Sequence, residues 1–214
     1  MKINFNSFWD ILFPKKCLHC RRSGRYLCED CFSLISINEN SFCPFCSRRT
    51  KNYGNCSRHQ DKNLDYLHFA VFYNQSLLKK VIKHYRKSPF IKELSIPLTR
   101  LIVAHFSLIY QPLNLKNTLL IPFPISEEKE RFIGFSPSRE ITKHLAKSLN
   151  VSYSDLIKVS PTEDFIINNP ETIKNKKIVL VKLIYHFGES SDSIAKKLKE
   201  RGATTVSVWA VTRF

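Results

Sequence analysis

Residues 177–211, KIVLVKLIYHFGESSDSIAKKLKERGATTVSVWAV, decide how this chain folds. Ile178, Val179, Leu180 and Val181 make a short apolar, β-branched run of the kind a strand buried on both faces requires. Lys182 to Ser191 reads as a loop that carries Gly188 and two serines just before Asp192. Ile194, Ala195 and Leu198 then recur at helical spacing beneath Lys196, Lys197, Lys199 and Arg201, and Gly202 stands where a helix C-cap is wanted. Thr205 to Val211 reads as the next strand. The stretch is therefore a βαβ unit of an α/β domain, and its loop lies at the carboxyl end of a strand, where open α/β sheets bind ligands.

Upstream, a body beginning at Leu64 is expected to run to residue 214. Leu67 to Tyr73 alternates as a strand, and Asn74-Gln75-Ser76 starts a helix. On that helix Leu77, Leu78, Val81, Ile82 and Tyr85 take one side, while Lys79, Lys80, Lys83, Arg86 and Lys87 take the other, with His84 at the border. The five cations make a candidate phosphate-contacting face, and a solvated helix face is the plainer reading of the same pattern. Ser95 to Tyr110 continues as a second amphipathic helix in which His105 is expected to be packed or on the surface. Leu119 to Ile121 reads as a buried strand ending at Pro122-Phe123-Pro124, a loop leads through Arg131 to Gly134-Phe135, and Ser138 to Leu149 is helical. Val151 to Asn175 reads as a polar connector.

The seven cysteines carry the most specific chemistry. They fall as Cys17-x2-Cys20, Cys28-x2-Cys31 and Cys43-x2-Cys46, followed by Cys56-Ser57-Arg58-His59. A C-x2-C step is a knuckle whose two thiolates meet one tetrahedral zinc, so the seven thiolates and His59 supply two zinc sites with no ligand left over. Sequential pairing gives Cys17, Cys20, Cys28 and Cys31 in one site and Cys43, Cys46, Cys56 and His59 in the other; spacing alone leaves interleaved pairing open. Disulfides would need an oxidising compartment, for which no secretory signal speaks. With every thiol assigned to metal, no cysteine remains to act as a nucleophile beside His144 or His186. The module, residues 17–63, is too small and polar to fold on a core of its own, so metal is expected to supply its folding energy.

Lys and Arg number 34 against 18 Asp and Glu, a formal charge of +16 spread along the chain. That balance suits a polyanionic partner, nucleic acid first, and equally the solvated surfaces of a basic proteome. Residues 1–16 carry Phe5, Phe8, Trp9 and Leu12 at helical spacing and are expected to form an amphipathic helix docked on the body. No run of about 18 apolar residues exists to span a bilayer, and a cytoplasmic location is expected.

Taken in order, the knuckles, the aromatic strand with its Leu77 to Lys87 helix, Pro122-Phe123-Pro124-Ile125-Ser126, Gly134-Phe135 and the final βαβ unit resemble the ComF-type competence proteins over almost the whole chain. The resemblance implies a double zinc ribbon followed by a type I phosphoribosyltransferase-like parallel sheet. It also implies a role in bringing single-stranded DNA into the cytoplasm, beside an uptake channel or helicase protein. Family members carry an acidic pair and threonines in the loop after the strand that begins here at Ile178, to hold phosphoribosyl pyrophosphate with magnesium. In this chain Lys182 and Leu183 stand for the acids and His186-Phe187 for the threonines. Gly188, Ser190 and Ser191 keep phosphate-compatible character at a helix N-terminus, with Glu189 between them.

Ile133-Gly134-Phe135-Ser136-Pro137 lacks the family's arginine and amides, and the stretch from Ser160 to Asn175 is shortened. The losses fall on groups that would contact the ligand. The expectation is a retained fold without a working transferase site, used for single-stranded nucleic acid. A divergent phosphoribosyltransferase and a protein-docking scaffold are the alternatives.

Overall fold

The structure is a computed structural model that describes residues 14–109, 114–160 and 165–214; the expected helix over residues 1–16 lies almost wholly outside them. Seven strands are present among the described residues: β1 Tyr66–Phe72, β2 Thr118–Pro122, β3 Ser152–Tyr153, β4 Ile157–Val159, β5 Phe165–Ile167, β6 Lys177–Tyr185 and β7 Thr205–Arg213. The helices are α1 Glu29–Ser33, α2 Ser76–Arg86, α3 Ser95–Leu108, α4 Glu127–Ile133, α5 Pro137–Leu149 and α6 Glu189–Lys199. Five strands make one parallel sheet in the order β1-β7-β6-β2-β3, and β4 pairs with β5 as a separate antiparallel hairpin. The α/β class with a parallel central sheet behind a cysteine-rich module is thus as the sequence implies.

The period-2 pattern divides the core in two. Leu120, Val179, Val181, Trp209 and Val211 face one side with residues of α2, α3 and α5, while Leu119, Ile121, Ile178, Leu180, Val206 and Val208 face the other with Ile194, Ala195 and Leu198 of α6. Burial on both faces is why these strands read as continuous apolar runs. Among the described residues no helix is long and apolar enough to cross a membrane.

The cysteine-rich module is built into this body. Leu18, Leu27 and Ile35 share the first core with Leu78, Val81 and Leu98, while Phe42 and Phe45 pack against the second. Its backbone also lies along the outer edge of β1: the Asn38 N–H donates to Ala70 O at 2.7 Å, the Leu67 N–H to Tyr53 O at 2.9 Å, and Gly54 bridges Tyr66. An edge strand's unpaired donors and acceptors are thereby used.

Three sequence expectations need correction. β6 runs on through Lys182, Leu183 and Ile184 to Tyr185, because β7 also extends, to Arg213, and Ile184 pairs with Thr212 and Tyr185 with Arg213; the loop shrinks to the residues before Glu189. The segment from Ile125 to Gly134 is largely α4, capped by Ser126 at its start and ended by Gly134 at φ 84°. Residues 151–175 are not an unstructured connector: they hold β3 and the β4–β5 hairpin.

Candidate metal centres and the sheet edge beneath them

Both centres are made by the same local device. In the first knuckle the Cys17 N–H donates to Arg22 O at 2.8 Å, and Lys16 bridges Ser23; in the second the Cys43 N–H donates to Arg48 O at 2.9 Å, and Phe42 bridges Arg49. Each tight turn brings the two cysteines of a C-x2-C step to one side. Arg21 takes a left-handed φ of 67° to close the first. Cys28 stands immediately before α1 and Cys31 lies within it, while Cys56 precedes a 3-10 turn that carries His59.

The result is sequential pairing. Cys17, Cys20, Cys28 and Cys31 form one group and Cys43, Cys46, Cys56 and His59 the other, with the ligand atoms of each within 4.8 Å of one another. His59 turns Nδ1 inward, 3.4 Å from Cys43 Sγ and 3.3 Å from Cys56 Sγ.

The electrostatics fit a cation in both groups. At Cys17 burial opposes ionisation, yet backbone hydrogen bonds from Cys28, His19 and Cys20 outweigh it and lower the thiol to about 6. At Cys56 the same opposition is overcome by Arg58 backbone and His59, again to about 6. Cys31 is pushed up to about 12 by burial and by the three thiols around it. Four sulfur donors, or three and an imidazole, crowded beyond hydrogen-bonding need are what tetrahedral zinc takes. A closed four-ligand shell leaves no position for substrate, so these are structural zinc sites.

The second centre sits on the carboxyl edge of the sheet. Arg213, buried at the end of β7, donates from Nη1 to Cys43 O at 3.1 Å and from Nη2 to Cys46 O at 2.8 Å, with Phe42, Phe69 and Tyr185 rings around its guanidinium. The Tyr185 hydroxyl donates to Pro44 O at 3.0 Å. Asp192 of α6 accepts from the Asn63 and Leu64 N–H groups at 2.7 and 2.9 Å. Phe45 lies so close over Gly188 that a Cβ there would meet its ring at 2.5 Å.

The order β1-β7-β6-β2-β3 reverses between β6 and β2, which puts the ligand crevice of such a sheet beside the ends of these two strands. Lys182, at that end of β6, is enclosed: Nζ lies 3.2 Å from Ser191 Oγ and 3.5 Å from the Phe123 ring centre, and burial pulls the ammonium down to about 8. The crevice after β2 is about 130 Å³, and its Arg139 is bound by Glu130 and by Asp155 at 2.5 Å. Of the three residues with phosphate-compatible character, Gly188 lies under Phe45, Ser191 is buried against Lys182, and Ser190 is exposed.

Four of the five predicted cations lie on α2, Lys79, Lys83 and Arg86 exposed and Lys80 half-buried, while Lys87, also exposed, stands just past its end in an extended conformation; none has an ion-pair partner among the described residues. His105 is buried, its Nδ1 2.6 Å from Asn38 O.

Sequence reasoning passed over Arg213, Tyr185 and Phe45, which join the module to the sheet. The available signal was an arginine ending a strand that carries no other charge. Removing it leaves two carbonyls of the knuckle without donors. Arg213→Ala is expected to cost about 2 kcal/mol, the scale of buried acceptors left unsatisfied, and to raise zinc exchange at the second centre but not the first. Chemical denaturation and metal-release rates would check this; equal release from both centres would count against it.

Comparison with solved structures gives low-scoring likenesses to phosphoribosyltransferases. A hypoxanthine-guanine-xanthine phosphoribosyltransferase is similar over 57% of this chain and 63% of its own, at 14% identity and a TM-score of 0.34. A Leishmania tarentolae HGPRT-ase in complex with GMP is similar over 62% and 65%, at 10% and 0.35. A Pyrococcus horikoshii purine phosphoribosyltransferase is similar over 58% and 85%, at 13% and 0.39. The chain thus spans just under two thirds of the first two. These scores carry no argument about activity, and no curated protein matches the chain in sequence. At the N-terminus, residues 8–60 match the double zinc ribbon domain, in accord with the two four-ligand groups found there.

Proposed function

We propose that this chain is a non-catalytic zinc-ribbon protein of the ComF competence type that binds single-stranded nucleic acid in the cytoplasm during DNA uptake, beside an uptake channel or helicase protein. The observation that carries the reading is the α2 face, where three exposed cations and a half-buried fourth, with exposed Lys87 just past the helix end, have no ion-pair partner among the described residues of a chain with net charge +16. Such a face is an electrostatic track for a phosphate backbone, and affinity along it rests on counterion release. The phosphoribosyl pyrophosphate and magnesium alternative is favoured by no observation here: an ammonium in an aromatic box stands at the expected acidic pair, and Phe45 lies over Gly188.

Fluorescence anisotropy with a labelled single strand tests the reading. Binding is expected to weaken steeply with salt, and Lys83→Ala with Arg86→Ala is expected to reduce the log–log slope by about 1.4, from about 0.7 per phosphate contact. Absence of binding at low salt, or a slope untouched by both substitutions, would overturn it. Capture of a helicase or channel protein without DNA would instead favour the docking-scaffold reading.

A further inference from the structure

At the carboxyl edge of the sheet three strand ends present stacked rings beside the basic helix. Tyr73 follows β1 and its N–H donates to Arg213 O at 2.8 Å; Phe214 follows β7 and its N–H donates to Tyr185 O at 3.1 Å. Phe214 stacks on both neighbours, 4.1 Å from Tyr73 at 33° and 4.3 Å from His186 at 17°. The rings are therefore held by backbone hydrogen bonds of the sheet, yet Phe214 is 60% exposed and Phe187, next along the chain, is 75% exposed. Phe214 thus keeps most of its ring at the surface, against the half-buried Tyr73.

Against the Tyr73–Phe214 pair opens a cleft of about 370 Å³ lined by Phe72, Tyr73, Asn74, Lys79, Arg213 and Phe214. Its walls are mainly apolar. Arg213 is committed to the Cys43 and Cys46 carbonyls, so Lys79 is the cation of the lining that faces a ligand, and Asn74 is exposed with an amide able to meet a base edge. Lys79 opens the basic face of α2, with Lys83 one turn on and Arg86 beyond it. Arg86 reaches the vicinity of His186: burial, then the charges of Arg86 and Lys182, hold that imidazole below its usual range. An apolar ring platform continuous with a row of cations is complementary to one kind of polymer, with flat bases and a charged backbone.

We propose that the cleft beside the Tyr73–Phe214 pair takes one unpaired base of a single-stranded nucleic acid, laid against those rings, whose backbone continues over Lys79, Lys83 and Arg86. This rests on the nucleic-acid reading above and adds a base-contacting subsite to it. A duplex has no splayed base to offer, so the subsite also gives a physical reason for single-strand preference.

The test compares an oligothymidine strand with an abasic strand of the same length, which has the same phosphates and no bases, by anisotropy on the full zinc-loaded chain. Wild type is expected to prefer the thymidine strand about tenfold, within the range of one stacked base. Phe214→Ala and Phe214→Leu are both expected to lose that preference at unchanged salt slope, the leucine keeping apolar contact with Tyr73 without a ring. Lys79→Ala is expected to weaken both strands alike.

Equal binding of the two strands by wild type would overturn the base subsite and leave the electrostatic reading standing. Binding of neither strand at low salt would overturn both. Thymidine monophosphate competing as well as the strand would make the cleft a nucleotide pocket, and so overturn the strand assignment.

Discussion

Stripping the metal is expected to release two zinc ions per chain and to unfold more than the cysteine-rich module. Structural zinc in ribbon-sized domains supplies about 10–16 kcal/mol of apparent binding free energy near neutral pH, nearly all of it coupled to folding. Here the coupling reaches the body, because Leu18, Leu27 and Ile35 lie in one core with Leu78, Val81 and Leu98. When the first centre empties, that face of the sheet loses cover; when the second empties, Arg213 and Tyr185 lose the knuckle carbonyls they bind. The expected readings are metal release in two steps, seven titratable thiols, and a large fall in melting temperature. A chelated chain that melts as the loaded one does would show that the zinc is not structural.

Acid is expected to destabilise the protein through His68. Its ring stacks on Tyr53 at 4.2 Å and meets His105 and Phe106, and its Nδ1 is sealed from solvent with no hydrogen-bond partner among the described residues. Burial first, then the His105 charge, lowers its pKa from 6.5 to about 3. The depressed folded value means the unfolded chain takes up the proton first. Stability from His68 is therefore fully present above about pH 6.5, is lost as pH falls towards about 3, and changes no further below that.

The loss should be on the order of 3 kcal/mol after allowing for the partly exposed ring edge. Because thiolates also take up protons in acid, the measurement is the difference between wild type and His68→Phe in urea melts from pH 7.5 to 5. The variant is expected to show the shallower loss, and parallel curves would remove His68 from the account.

What the sequence makes legible follows the range of the interactions concerned. The eight zinc ligands are readable because each C-x2-C knuckle is closed by bonds within a few residues, such as Cys17 N–H to Arg22 O. The final βαβ unit is readable because apolar periodicity is local. The end of β6 is not: Lys182 sits inside a strand because β7 continues to pair with it, and its ammonium is enclosed by Phe123, some sixty residues earlier in the chain. The docking of the second knuckle by Arg213 spans still more of the chain. α4 hides behind a run of glutamates, since only the Ser126 cap and Gly134 stop mark it. The aromatic cleft is assembled from the ends of β1 and β7 and from α2, which no window of sequence brings together.

The module's position along β1 has a consequence for how copies of this chain meet. A parallel sheet has two rims, and on one of them the strand bonds of Leu67 and Ala70 are taken by Tyr53 and Asn38. Metal depletion would bare that rim, and a bare rim is a template on which a second sheet adds strand by strand. Zinc supply would then govern whether the protein stays dispersed or gathers into aggregates, which light scattering of the chelated chain would register.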